Sequence, residues 1–106
     1  VSNWTTNATT VAGAKNISGT SVNLLNAPFG LFLDSIDTLY IADTDNNRIQ
    51  KRTANAWSST TAAGQASGTA GATTTTLSAP SSVVVDSAGN VYIADTANHR
   101  IQCWYS

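Results

Sequence analysis

Tyr40-Ile41-Ala42-Asp43-Thr44 recurs as Tyr92-Ile93-Ala94-Asp95-Thr96, a displacement of 52 residues from position 40 to position 92. The same displacement carries Ala27-Pro28 onto Ala79-Pro80, Asp34-Ser35 onto Asp86-Ser87 and Arg48-Ile49-Gln50 onto Arg100-Ile101-Gln102. Between residues 27–52 and 79–104, 13 of 26 positions are identical without a gap. A period near 50 residues marks a repeat architecture, in which each unit leaves a face for its neighbour to cover. With two units, the central question is what covers the ends.

The second unit is the easier to parse. Ser82-Val83-Val84-Val85-Asp86 is a β-branched run too short for a helix. Ser87-Ala88-Gly89-Asn90 reads as a hairpin turn in which Gly89 takes positive φ. Val91-Tyr92-Ile93-Ala94-Asp95 is the next strand. After the turn at Thr96-Ala97-Asn98, His99-Arg100-Ile101-Gln102-Cys103-Trp104 is the third. The first unit maps on as strands at 31–34, 39–43 and 48–52, with Ser35-Ile36-Asp37-Thr38 as its turn. A fourth strand is expected at Ala56-Trp57-Ser58-Ser59-Thr60-Thr61, ending at Ala63-Gly64. Residues 1–11 share its character: they are Thr-rich, contain Trp4 and lead into Ala12-Gly13.

Four antiparallel strands in about 50 residues make one blade of a β-propeller. The expectation is an all-β chain, 1–106, forming a single two-blade unit. In it, residues 1–11 are an outer strand completing a neighbour's blade, 12–61 the first blade, and 62–106 a second blade lacking its outer strand.

Composition narrows the partners. Five basic and six acidic residues, all six Asp, give a formal charge of −1. No basic face is available for nucleic acid, and no apolar run has the length of a membrane span. Neither partner is expected. The chain contains no Met, which suggests a fragment of a longer propeller or an engineered unit. Its single cysteine, Cys103, excludes an internal disulfide framework and reads as a packed strand residue. Compartment is left open, an extracellular one being compatible with a secreted parent.

The segment Ser78-Ala79-Pro80, through Val83-Val84-Val85-Asp86-Ser87-Ala88-Gly89-Asn90, to Val91-Tyr92-Ile93-Ala94-Asp95-Thr96-Ala97-Asn98-His99-Arg100-Ile101, closely resembles an NHL repeat. Asn98-His99 matches the pair for which that family is named. The first unit keeps Ala42-Asp43-Thr44 and Arg48-Ile49 but has Asn47 at the His position and Asp37-Thr38 at the Gly-Asn turn. Ala12-Gly13 and Ala63-Gly64 are similar to the family's inter-blade loop. The resemblance implies a six-bladed propeller, a scaffold or extracellular module more often than an enzyme. Fold alone does not supply function.

Asp43, Arg48, Asp95 and Arg100 occur in both units, which assigns them to blade architecture. Carboxylates placed before tight turns are expected to accept hydrogen bonds from turn N–H groups. Asp43-x-Asp45-x-Asn47 has the opening spacing of a calcium loop, but Arg48 stands where that loop requires Gly and Ala54 where it requires Glu. Gly64, Gly68 and Gly71 lack the Gly-Lys-Ser/Thr ending of a phosphate loop. Three Asn-x-Ser/Thr sequons, at Asn3, Asn7 and Asn16, are what chance supplies in a chain so rich in Asn, Ser and Thr. A solitary histidine, His99, cannot build a multi-ligand catalytic zinc site. No catalytic residue, metal or cofactor is therefore expected.

The leading functional reading is a non-catalytic scaffold or binding module that associates with itself. Three chains would close six blades, with Trp4, Thr5 and Thr6 of one chain meeting Arg100, Gln102, Cys103, Trp104 and Tyr105 of the next. Such a ring removes open sheet edges and end faces. One alternative is a lectin-like propeller that stacks neutral glycans on Trp4, Trp57, Trp104 or Tyr105. A degenerate NHL-type lyase or lactonase is the other. A protein or glycan ligand is the partner expected beyond the chain itself.

Overall fold

The computed structural model describes residues 5–106. Among the described residues, seven strands form two antiparallel sheets: β1 (Pro28–Leu33), β2 (Leu39–Asp43), β3 (Arg48–Arg52) and β4 (Thr60–Gly64) in the first, and β5 (Pro80–Val85), β6 (Val91–Asp95) and β7 (Arg100–Trp104) in the second. Strand order follows chain order in both sheets, so every connection within a sheet is a hairpin. The two sheets fit a fragment of a β-propeller.

The hairpins are fixed by local chemistry. In the first of each sheet an Asp accepts hydrogen bonds across its own turn. Asp34 Oδ1 accepts from the N–H groups of Ile36 and Thr38, and Asp86 Oδ1 from those of Ala88 and Asn90. Both are Asx turns, which let a short side chain replace a missing backbone partner. Asp37 and Gly89 supply the left-handed residues, at φ 64° and 88°. The second hairpin of each sheet is a 3₁₀ turn, Thr44–Asn46 or Thr96–Asn98, closed by Asn47 or His99 at φ 54° and 57°.

β5 packs across β1 and β2, and the apolar core lies between the two sheets. The first sheet contributes Tyr40, Ala42, Ile49 and Ala63; the second contributes Val83, Val91 and Ile93, with Leu77 from the connecting loop. Alternation along each strand sends Tyr40 and Ala42 toward the second sheet, and Leu39 and Ile41 away from it. The sheets approach closely at Gly30. A Cβ there would lie 2.5 Å from the Ser81 carbonyl oxygen and 2.9 Å from Ser82 Cα, so only glycine fits.

Several details differ from the sequence reading. The fourth strand begins at Thr60 rather than Ala56, because residues 53–56 close a turn through the Ala56 N–H to Thr53 carbonyl bond. It runs through Gly64, past the expected blade boundary at 61. β1 and β5 start at their prolines, each with a bulge that takes up the irregularity. His99 belongs to the turn, since a left-handed residue cannot continue a strand. Of the outer strand expected over 1–11, residues 1–4 lie outside the described residues; residues 5–11 are exposed and form no strand.

The Asp86 turn generates a pH-dependent expectation. Hydrogen bonds from the Asn90 backbone and side chain, then from Ala88 and Gly89, hold the Asp86 carboxyl below its ordinary value of 3.8. A lowered folded-state pKa gives stability that is complete above the unfolded value and lost as pH falls through the folded one. Asp86→Ala should therefore lower the melting temperature at neutral pH, and the difference from wild type should shrink as pH falls below 3.8. Thermal unfolding of both proteins across an acid series measures this.

Candidate functional site

At the end of β2 and the start of β3, Asp43 and Arg48 face each other as a cross-strand pair. Arg48 Nε donates to Asp43 Oδ2 at 2.8 Å, and both side chains are buried. The rest of the guanidinium donates to four carbonyls: Thr20 and Ala66 from Nη1, Ser21 and Leu24 from Nη2. All five N–H donors are used. Asp43 is equally committed, accepting from the Asn26 N–H through Oδ1 and from the Asn46 amide through Oδ2. The carboxylate does not serve the backbone of its own turn, as the sequence suggested. Charge-assisted bonds to Arg48 draw it back across the hairpin, where it fastens the preceding loop instead.

The second sheet repeats the arrangement with one member missing. Arg100 Nε donates to Asp95 Oδ2 at 2.8 Å, and Asp95 accepts from the Ser78 N–H and the Asn98 amide. The Arg100 fork reaches the carbonyls of Ala72, Thr73 and Thr76. One Nη1 donor is left over. Its counterpart in the first sheet is spent on Ala66, which belongs to the loop leading into the next sheet.

That loop and the tip of the first sheet form a junction. Asn47 Oδ1 accepts from the Ala79 N–H at 2.9 Å, while Asn47 Nδ2 donates to the Gly68 carbonyl. Thr44 Oγ1 donates to the Pro80 carbonyl at 2.8 Å. Gly64 sits at φ 80°, where a Cβ would fall 2.6 Å from the Asn47 carbonyl oxygen. The sequence did not single out Asn47. The available signal was its difference from His99 at the same place in the repeat.

Comparison of equivalent positions identifies what each sheet leaves uncovered. Ile49 is 0% exposed and Ile101 is 69%; Tyr40 is 8% and Tyr92 is 37%. On the opposite faces the order reverses, with Val83 at 3% and Leu31 at 66%. Tyrosine chemistry follows the same division. Burial, then Asp34, raises the Tyr40 phenol above 10.0, whereas Tyr92 is raised first by Cys103, its cross-strand partner, and then by burial.

Arg100, Gln102, Cys103 and Trp104 lie together on β7, whose outer edge has no strand partner among the described residues. Trp104 packs against the core, whereas Tyr105 and Trp57 are exposed. Thr5 and Thr6 are exposed and outside any strand, and Trp4 lies outside the described residues. Among the described residues, no three His, Cys, Asp or Glu side chains cluster in a way that would hold a metal ion. The N–H groups of Gly68 and Gly71 are bonded to the Gln65 and Leu77 carbonyls and do not form an open anion cradle.

Residues 77–104 match the family model of the NHL repeat. The second unit is similar to an NHL repeat. No curated protein matches the chain. The matched segment runs from Leu77, the loop residue buried in the core, to Trp104 at the end of β7. NHL repeats and an all-β fold fit a propeller that acts as a scaffold or binding module.

The buried pair generates a mutational expectation. Arg48→Met leaves Asp43 buried and unpaired and strips four carbonyls of their donor, for a cost of about 3–5 kcal/mol. Arg100→Met should cost clearly less, because its side chain is 26% exposed and water reaches the site. Urea unfolding of the two variants would test the order.

Proposed function

We propose that this chain is a non-catalytic β-propeller scaffold that closes a six-bladed ring from three two-bladed copies. The observation that carries the reading is the exchange of exposure between equivalent positions. Val84, Tyr92 and Ile101 are uncovered on the second sheet, and their counterparts Phe32, Tyr40 and Ile49 form the buried junction on the first. Leu31 and Leu33 are uncovered on the first sheet, and their counterparts Val83 and Val85 fill that junction from the other side. The two open faces are thus versions of two surfaces that already fit each other, except at the inner strands, where Ser82 replaces Gly30. A second copy docking head-to-tail would bury both, and such a contact must close into a ring to avoid fibres.

The open edge of β7 supports the same arrangement. In the first sheet β4 lies against β3 with Arg48 opposite Gly64 and Ile49 opposite Ala63. Ala12-Gly13 repeats Ala63-Gly64, so residues 9–13 of a second copy are the counterpart of β4 for β7. Six blades at about 60° each require three copies.

Light scattering should give three times the 11.0 kDa chain mass. Ile101→Asp is the matching variant. At 69% exposure the change costs an isolated chain little, but it puts a charge in the proposed junction and should yield a folded, smaller species. A wild-type monomer at micromolar concentration would overturn the ring.

A further inference from the structure

Resting on that reading, the geometry points to His99 as the clamp between copies: we infer that the tip formed by residues 96–100 of one copy seats in a groove of the next. The groove is lined by Gly13, Ala14, Asn16, Ile17 and Pro28 and has a volume of about 550 Å³. In the seated arrangement, His99 accepts a hydrogen bond from the backbone N–H of Ala27 in the second copy.

Two features of the internal junction have counterparts at these surfaces. Ala79 N–H donates to the Asn47 side chain, whereas Ala27, in the same left-handed conformation at φ 52° against 49°, is exposed and its N–H has no partner among the described residues. Thr44 Oγ1 donates to the Pro80 carbonyl, and Pro80 is buried; Pro28 is exposed, and the counterpart of Thr44 is Thr96, which can donate to it when the 2.6 Å bond to Ser81 Oγ is given by Ser81. Arg48 completes its five hydrogen bonds on Ala66. Arg100 keeps a spare Nη1 donor, but Lys15 does not repeat Ala66: the Ala14–Ile17 turn has its left-handed residue at Asn16, φ 60°, and the Gln65–Gly68 turn at Gly68, φ 79°. At the first two, donor and acceptor have the chemistry of the internal junction.

His99 meets the chemical requirement of the clamp. In Asn47 the acceptor Oδ1 is bonded to Cγ; in His99 the ring nitrogen Nδ1 is bonded to Cγ in the same way. With the proton on Nε2, Nδ1 is an acceptor. Asn and His are also among the residues that best tolerate the left-handed backbone this position takes, at φ 54° and 57°. The repeat has exchanged one acceptor for another.

The test compares His99→Asn with His99→Gly by sedimentation over a dilution series. Glycine removes the side chain while tolerating positive φ, so strain does not confound the comparison. Loss of one hydrogen bond at each junction should weaken association about three- to tenfold in His99→Gly. His99→Asn should stay within about twofold of wild type, and circular dichroism should report the same β content for all three. Equal dissociation of His99→Gly and wild type would refute the clamp and leave the ring intact, as would a His99→Asn protein as weak as His99→Gly. A wild-type protein that never assembles would instead refute the ring.

Discussion

Each sheet in this protein carries apolar side chains on both faces, and that constraint governs everything built around it. Tyr40 and Ala42 point one way from β2 while Leu39 and Ile41 point the other, so no single neighbour can bury them all. Contact between the two sheets covers one face of each and leaves Leu31 and Leu33 on the first and Val84, Tyr92 and Ile101 on the second exposed, although Ile41 is buried. Ordinary antiparallel sheets avoid this by alternating apolar and polar residues. Here the alternation is replaced by a repeat, and in the proposed ring the second face is covered by another copy of the same surface. Propeller architecture is the solution in which every sheet has two neighbours.

Packing sheets face to face leaves the connecting loops to be organised, and the Asp–Arg pairs do that work. A buried ion pair is by itself a doubtful source of stability, because desolvation offsets the attraction. Arg48 escapes that balance by satisfying backbone carbonyls that would otherwise be buried without donors. It ties residues 20–24 to the hairpin of its own sheet and, through Ala66, to the loop of the next. Both units retain the pair because both must solve the same loop problem. Gln50 marks the limit of this satisfaction: its oxygen accepts from Thr61 Oγ1, but its Nε2 is the one buried side-chain polar atom without a partner among the described residues.

The repeat made the blades legible, and local chemistry made some strands more legible than others. β2 and β6 fall where the β-branched and aromatic runs put them, because both ends are marked by turn residues. β4 was misplaced at its start because Trp57 suggested a strand, whereas the chain is still turning there and the indole is 94% exposed. The boundary at His99 could not be read from composition, since histidine itself does not announce a left-handed backbone. The Asp–Arg motif was visible as a repeated pair, but its partners were not. Carbonyls 18 to 28 residues away are a property of the folded loop and leave no trace in side-chain type. The junction residues were hidden for the same reason: Asn47 matters through a backbone N–H, at Ala79, that every sequence possesses.

In the proposed ring the junctions would not all be alike, and the reason lies at Gly30. Within the chain, β1 approaches β5 so closely that a Cβ at Gly30 would collide with the Ser81 carbonyl. The counterpart of Gly30 in the second unit is Ser82, and the counterpart of Ser81 is Phe29. Copying the internal junction between chains would bring the Ser82 Cβ against the Phe29 carbonyl at a distance no real contact has. The inner strands must therefore stand farther apart between copies than within them, while the outer surfaces still meet through Ile101 and the tip at His99. Exposed Phe29 is a bulky side chain beside the wider gap, where the internal junction has only Ser81. Close and wide junctions would alternate around the axis, giving a ring whose true symmetry is threefold and whose sixfold appearance is approximate. In that ring, divergence between the two units would have a physical meaning: Gly30 and Asn47 would suit a junction formed within one chain, and Ser82 and His99 one formed between two.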